Sequence, residues 1–314
     1  MSEAPVDERV ETFLTPRDWL RYAVGRFLSQ GLAFGHGATT ALDEAAFLIL
    51  EGLGLPIDTL DPFLDARLLR DERIRLLGLI EARATTRKPA AYLVNRAYIQ
   101  GVPFYVDERV IVPRSLIGEL LVTAFAEDNG LVGDPETIVS VLDLCTGGGS
   151  LAILAARVFP NARIEAADVS AGALEVAVRN LEEHGLRDRI ALKQGDLFAP
   201  VEGARFDLIL TNPPYVDAAA IADFPPEYAA EPVLAHAGGT DGLDIVRRIL
   251  GEAPKHLTPS GTLVCEVGEA RPLLEQEFPH LPFAWLDTQD STGEVFLLRA
   301  ADFGAAKLRA RTRG

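Results

Sequence analysis

The stretch Asn212-Pro213-Pro214-Tyr215 places an amide side chain, a free backbone carbonyl and an aromatic ring within four residues. It follows Phe206-Asp207-Leu208-Ile209-Leu210, an apolar run that reads as a buried strand. Neither proline can donate to a sheet ladder, so the chain must leave the sheet there in a stiff, extended form. In open α/β sheets, ligands bind at such carboxyl ends of strands. Two acceptors beside a flat ring suit a planar group that bears an NH2, such as an amide or an amino-purine.

Three more strand ends carry candidate chemistry. Asp143-Leu144-Cys145-Thr146-Gly147-Gly148-Gly149-Ser150 joins a predicted strand to a predicted helix, and its glycines let the backbone pass close to a ligand. Asp168 ends the next strand, where a carboxylate can accept from both hydroxyls of a ribose. Gly147, Gly149 and Ala152 also satisfy G-x-G-x-x-G/A, so this loop and Asp168 fit a nicotinamide dinucleotide and S-adenosylmethionine equally. Other residues favour the second. Asp143, ahead of the glycines, can neutralise the amino group of a methionine moiety but would repel a pyrophosphate. Asp196 of Gly195-Asp196-Leu197-Phe198 can accept from an adenine amino group, and Leu197 can cover the ring. Asn-Pro-Pro-Tyr has no evident part in hydride transfer. The expected cofactor set is therefore Asp143, Thr146, Gly147, Gly149, Asp168, Asp196, Leu197 and Asn212.

The elements that must position these residues fall into two regions. Residues 1–96 read as a helical domain. Thr15-Pro16 opens a helix with an N-cap and a proline at its first position, and Leu20, Ala23, Val24, Phe27 and Leu28 form its apolar stripe. Further helices are expected over Leu42 to Leu53, stopped by Gly54 and Pro56, and over Asp71 to Arg83. His36, in Phe34-Gly35-His36-Gly37, reads as a loop or packing residue. Residues 97–113 read as a β-hairpin linker turning on Gly101-Val102-Pro103. Residues 114–302 alternate strand and helix, with strands near 138–144, 163–167, 190–193, 206–210 and 262–267. This pattern predicts a mostly parallel sheet covered by helices on both faces. Strands near 283–286 and 295–299 should close it as an antiparallel edge hairpin. Residues 303–314 form a basic tail with Lys307, Arg309, Arg311 and Arg313, expected to be solvated.

Composition narrows the function. The 314 residues suffice for one or two domains, and 48% hydrophobic with 24% charged residues is normal for a globular protein. The formal charge, 30 − 46 = −16, counts against direct binding of nucleic acid and suits a basic macromolecular partner. No apolar run is long enough to span a bilayer, and Met1-Ser2-Glu3-Ala4-Pro5 does not begin a secretory signal, so a cytoplasmic protein is expected. Cys145 and Cys265 lie in apolar, strand-like runs without neighbours at metal-ligand spacing, and read as buried structural thiols.

With these residues placed, the chain resembles the class I S-adenosylmethionine methyltransferases. Within them it is similar to the N5-glutamine methyltransferases of the HemK and PrmB type, from about Thr15 to Arg299. The resemblance implies a helical N-terminal domain, a β-hairpin linker and a Rossmann-like seven-stranded methyltransferase domain. One branch of that family methylates peptide release factors; the other methylates a glutamine of the third large-subunit ribosomal protein. Phe104-Tyr105-Val106-Asp107-Glu108-Arg109-Val110, Val112-Pro113-Arg114-Ser115 and Gly118-Glu119-Leu120 resemble the ribosomal-protein branch. So do Phe34-Gly35-His36-Gly37, Asp43-Glu44-Ala45, Ala91-Tyr92-Leu93, Glu231-Pro232 and Gly238-Gly239-Thr240-Asp241-Gly242-Leu243-Asp244. Leu116, Gly148 and Ser150 depart from the usual Pro, Ser and Cys.

The resemblance implies S-adenosyl-L-methionine as methyl donor, S-adenosyl-L-homocysteine as product, and Asn212, Pro213, Pro214 and Tyr215 as the glutamine site. Asn212 and the Pro213 carbonyl would each accept one amide N–H, and Tyr215 would pack on the amide plane. Arg114 and Glu119 are expected either to place the substrate and the domain interface or to form structural ion pairs. Two other readings compete. An adenine-N6 nucleic-acid methyltransferase uses a similar Asn-Pro-Pro-Tyr but calls for a basic cleft. A non-catalytic adenosylmethionine-binding assembly factor would not need that motif intact.

Overall fold

The computed structural model describes residues 7–127, 130–289 and 291–304. The predicted tail beyond Gly304 and the first six residues lie outside them. The chain forms two compact units. Among the described residues, one comprises those up to Ala97 together with Phe224–Ala230, and the other comprises the remainder.

The first unit is helical: α1 (Glu8–Thr12), α2 (Pro16–Ser29), α3 (Ala41–Leu53), α4 (Arg70–Thr86) and α5 (Ala90–Val94). Thr15 caps α2 in a reciprocal capping box with Asp18, and Pro16 occupies the first turn, where no N–H is needed. Thr40 caps α3, and Gly54 ends it at φ 67°. Helix α4 outruns the expected Arg83 and stops only where Arg87 turns left-handed at φ 61°. Trp19, Ala23 and Phe27 of α2 pack with Ala45, Leu48 and Ile49 of α3 and with Leu76 and Ile80 of α4, all fully buried. Each large apolar side chain so buried stabilises the unit by about 1.5–3 kcal/mol.

Phe224–Ala230 enters this unit through its charge. The fully buried Glu227 meets Arg87 at 2.7 Å and Arg83 at 3.7 Å, and accepts from the Ala33 N–H at 2.9 Å. Arg83 is itself buried and held by both oxygens of Glu44, at 2.6 and 3.1 Å. Tyr228 packs on His36, with ring centroids 4.3 Å apart, which makes His36 a packing residue. A side chain at Gly35 would strike the Tyr228 hydroxyl. The Phe-Gly-His-Gly and Asp-Glu-Ala motifs thus both serve to hold this segment.

The second unit opens with a hairpin of β1 (Ala97–Ile99) and β2 (Val102–Phe104). Its turn is not at Gly101-Val102-Pro103 as expected. Gln100 and Gly101 form it, with φ 50° and 72°, as the type I′ turn of a two-residue hairpin needs left-handed backbone at both centres. Helix α6 (Leu116–Val122) follows. Then come β3 (Ser140–Leu144), α7 (Ser150–Val158), β4 (Arg163–Asp168), α8 (Ala171–Glu183), β5 (Ile190–Gln194), β6 (Phe206–Thr211), α9 (Ala218–Ala222), α10 (Asp244–His256), β7 (Leu257–Glu266), α11 (Arg271–Glu277), β8 (Ala284–Asp287) and β9 (Thr292–Arg299).

The seven strands β3 to β9 form one sheet in the order β5-β4-β3-β6-β7-β9-β8. The neighbours from β5 to β7 run parallel, while β9 runs antiparallel to both β7 and β8. Successive residues alternate between two cores. Val141, Leu208, Leu210 and Val264 face α6 and α7, whereas Leu142, Ile209, Leu263 and Cys265 face α10 and α11. Strands buried on both faces therefore read as continuous apolar runs. The strand order reverses between β3 and β6, and the crevice beyond their carboxyl ends is the expected ligand site.

Candidate active site

At the end of β3 the chain turns sharply, with Cys145, Gly147 and Gly149 left-handed at φ 57°, 55° and 81°. Helix α7 has no side-chain cap of its own. Asp143 substitutes: its Oδ2 accepts from the Ala152 N–H at 3.0 Å and from the Thr146 hydroxyl at 2.5 Å. Asp143 is fully buried, and burial raises its carboxyl to about 7 against these two bonds, which lower it. Its Oδ1 has no hydrogen-bond partner among the described residues. Asp168, at the end of β4, accepts from the N–H groups of Gly147 and Ser170 at 2.9 and 2.8 Å. Burial raises this carboxyl too. Asp196 and Leu197 follow β5, with Leu197 left-handed at φ 47° and buried. Backbone held in this sparsely populated region is typical of ligand sites.

A cavity of about 300 Å³ lies against these strand ends, lined by Gly147, Asp168, Asp196, Leu197, Asn212 and Pro214, among others. A nucleoside fits its donor and acceptor set. Asp168 is a half-buried acceptor at the wall, Leu197 is an apolar cover, and Asp196 is an exposed carboxylate at the rim. Asp196 is paired with Arg248 at 2.6 Å, so an adenine amino group would share that carboxylate with a guanidinium.

Asn212 follows β6. Thr211, fully buried, donates its hydroxyl to the Leu144 carbonyl at 3.0 Å and ties this end to that of β3. Asn212 is half-buried, and no group among the described residues hydrogen-bonds to its side-chain amide. It lines the large cavity and also a second one of about 50 Å³, bounded by Phe104, Val110, Pro113, Arg114 and Ser115. The two spaces share Val110, Ile111, Cys145, Gly147 and Asn212.

Three glycines press on Tyr215. A side chain at Gly238 would come within 2.8 Å of the Tyr215 Cα, one at Gly268 within 2.8 Å of its ring, and one at Gly242 would strike its carbonyl oxygen. Val216 pairs with His236 and Gly238 through backbone hydrogen bonds of 2.9 Å each. The Gly-Gly-Thr-Asp-Gly segment is thus the buttress of Asn-Pro-Pro-Tyr.

Several expected site residues sit apart from the cavities. Asp143 lies behind the glycine loop, and Gly149 packs against Ala177 of α8. Pro213 and Tyr215 bound neither space, while Thr146 bounds only the smaller. Glu119 accepts from the Gln289 N–H and lines neither cavity. Arg114 forms a forked ion pair with the buried Glu231, at 2.7 and 2.8 Å, in the wall of the smaller cavity. Cys265 is buried as expected, but Cys145 is half-buried and borders both cavities, because its strand ends one residue earlier. Asn180 was not foreseen. From the apolar face of α8 it bonds both backbone groups of Tyr105 and the Gly148 carbonyl, joining hairpin to glycine loop. A polar residue within the stripe Val176, Ala177, Leu181 was the available signal.

A family model described as the methyltransferase small domain matches residues 119–224. The chain is 58% identical over 288 residues to the ribosomal protein uL3 glutamine methyltransferase of Bradyrhizobium diazoefficiens, covering 91% of this chain and 90% of that one. It is 53% identical to the protein of the same name from Burkholderia pseudomallei, covering 93% of this chain and 97% of the relative. For that of Bordetella pertussis the identity is 53%, covering 90% and 94%. The fold is that of a class I methyltransferase, and the chain belongs to the family of ribosomal protein uL3 glutamine methyltransferases.

Proposed function

We propose that this protein methylates the side-chain amide nitrogen, N5, of a glutamine in ribosomal protein uL3, in the cytoplasm, with S-adenosyl-L-methionine as donor. The observation that carries this reading is Asn212, standing with its amide unengaged where the nucleoside-sized cavity meets the smaller one. When bound, S-adenosylmethionine supplies an electrophilic methyl carbon on a sulfonium, leaving S-adenosyl-L-homocysteine. Asp168, Gly147, Leu197 and Asp196 would hold its nucleoside part, with Asp143 and Thr146 supporting the loop at the methionine end.

An amide nitrogen is a poor nucleophile because its lone pair is delocalised into the carbonyl. The Asn212 side-chain oxygen and the Pro213 carbonyl each accept one N–H of the glutamine, which polarises the NH2 and aims the lone pair. The Pro213-Pro214 pair fixes those acceptors beforehand, and the buttressed Tyr215 restricts the amide plane. Catalysis is thus positioning with electrostatic preorganisation. With the donor bound, the nitrogen would take the methyl group as the carbon–sulfur bond breaks, and its proton would pass to solvent once the nitrogen is cationic.

Transfer of radiolabelled methyl to purified unmodified uL3, a release factor and DNA tests the reading, with mass spectrometry locating the product. Label on a glutamine of uL3 alone is expected. Label on the release factor would move the substrate to the sister branch, and label on adenine would overturn the substrate class.

A further inference from the structure

Glu266 ends β7 and has no part in the reading above, yet its carboxylate is buried to 3% exposure beside the site. Its Oε1 accepts from the Tyr215 hydroxyl at 3.0 Å. Its Oε2 accepts from the Ser115 hydroxyl at 2.7 Å and from the Leu116 N–H at 2.9 Å. One carboxylate therefore binds two segments distant in sequence: the end of Asn-Pro-Pro-Tyr, and the start of α6, where Ser115 bounds the smaller cavity. Two residues on, Gly268 lies against the Tyr215 ring. The end of β7 thus holds that tyrosine at its hydroxyl and across its ring. A buried carboxylate is retained only where its lone pairs are met, and here three donors meet them.

We infer that Glu266 is a positioning residue for methyl transfer: it fixes Tyr215 through the phenol hydroxyl and the cavity wall through Ser115 and Leu116. The inference rests on the glutamine reading of the same site. The three donors define what a neutral amide could replace. In Glu266→Gln the carbonyl oxygen can still serve the Leu116 N–H, which cannot reverse its role. The NH2 then faces Tyr215, whose hydroxyl loses its anionic acceptor. The packing and the start of α6 survive, while the charge-assisted bond from Tyr215 becomes a weaker, reversed bond from the amide NH2 to the phenol oxygen.

The test is a double-mutant cycle with Glu266→Gln, Tyr215→Phe and the pair, scored for kcat, acceptor KM, cofactor Kd and Tm. The acceptor is whichever of uL3 or release factor the wild type labels. An error in the substrate reading then changes the acceptor, and an error in this inference changes only the variants. Each single variant is expected to lose about tenfold in kcat, in line with a hydrogen bond to a charged group, with cofactor Kd within about twofold. The pair should lose little more than either alone. Full kcat in Tyr215→Phe would overturn the inference, and this variant remains informative even where Glu266→Gln does not fold. Losses that multiply in the pair would also overturn it. So would a fall in Tm and cofactor affinity without a change in kcat, which would leave Glu266 a structural residue only.

Discussion

The two walls of the site are built differently. On the proposed cofactor side, most partners are close in sequence: Asp143 reaches Thr146 and Ala152, and Asp168 reaches Gly147 and Ser170. On the acceptor side, partners come from across the chain. Tyr215 needs Glu266, Glu266 needs Ser115, and Glu231 holds Val112 and Arg114. The first wall is mostly a property of one strand–loop–helix unit and its neighbouring strand. The second exists only when the whole sheet has assembled. Changes on the first wall should therefore show in cofactor affinity, and changes on the second in turnover.

The largest effect is expected at Asn212. Asn212→Ala should lower kcat by roughly 100-fold or more, as the loss of a preorganised polar contact does elsewhere, with cofactor Kd little changed. Single-turnover transfer and calorimetric titration separate the two, and near-normal turnover would break the assignment of this wall to chemistry. Gly242→Ala comes next. Gly242 is left-handed at φ 80° and a methyl there meets the Tyr215 carbonyl, so overpacking should cost about 1–3 kcal/mol of stability and depress kcat. Melting curves and rates are the measurements; a variant as stable and active as wild type would show that Gly242 does not buttress the tyrosine.

Asp168→Ala, on the other wall, should weaken cofactor binding by about tenfold or more while kcat at saturating cofactor stays within severalfold. A pure kcat defect would erase the contrast between the walls.

The smallest effect on turnover is expected at Asp143, where the readout is stability. Its carboxyl sits near 7 when folded and about 3.9 when unfolded. Between those values the folded state binds the extra proton, so stability declines as pH rises from about 4 to about 7. Asp143→Asn keeps an acceptor for Thr146 and Ala152 but removes this titration. Its Tm should fall less than that of wild type across the window. Parallel profiles would show that Asp143 is ionised in the folded protein throughout.

The same contrast explains what could be read before the fold was known. The glycine loop, Asp168 and Leu197 are visible because local spacing encodes them. The strand alternation, the two-sided burial of β3 and β6 and the capped start of α2 are equally local. Glu266 was invisible because its partners lie 51, 150 and 151 residues away. The start of β7 was missed because Pro259 and Gly261 interrupt its pattern, and the register against β6 shifts there. The assignment of Tyr215 to the amide plane came from the motif, whereas the structure adds what holds the ring: Gly238, Gly242 and Gly268. Asn-Pro-Pro-Tyr is legible as a motif, but the residues that keep it rigid carry no signature of their own.

The helical unit is not a continuous stretch of chain, and this limits how the protein can be recombined. The polypeptide leaves it at Ala97 and returns for Phe224–Ala230 before departing again. A chimaera that exchanged only the first 97 residues for those of a relative would set a foreign Arg83 and Glu44 around the resident Glu227. A mismatch there would strand a buried charge, at a cost of about 3–5 kcal/mol. Exchanging the helical unit between relatives therefore requires moving the short later segment together with the helices, as a single inherited cassette in two pieces.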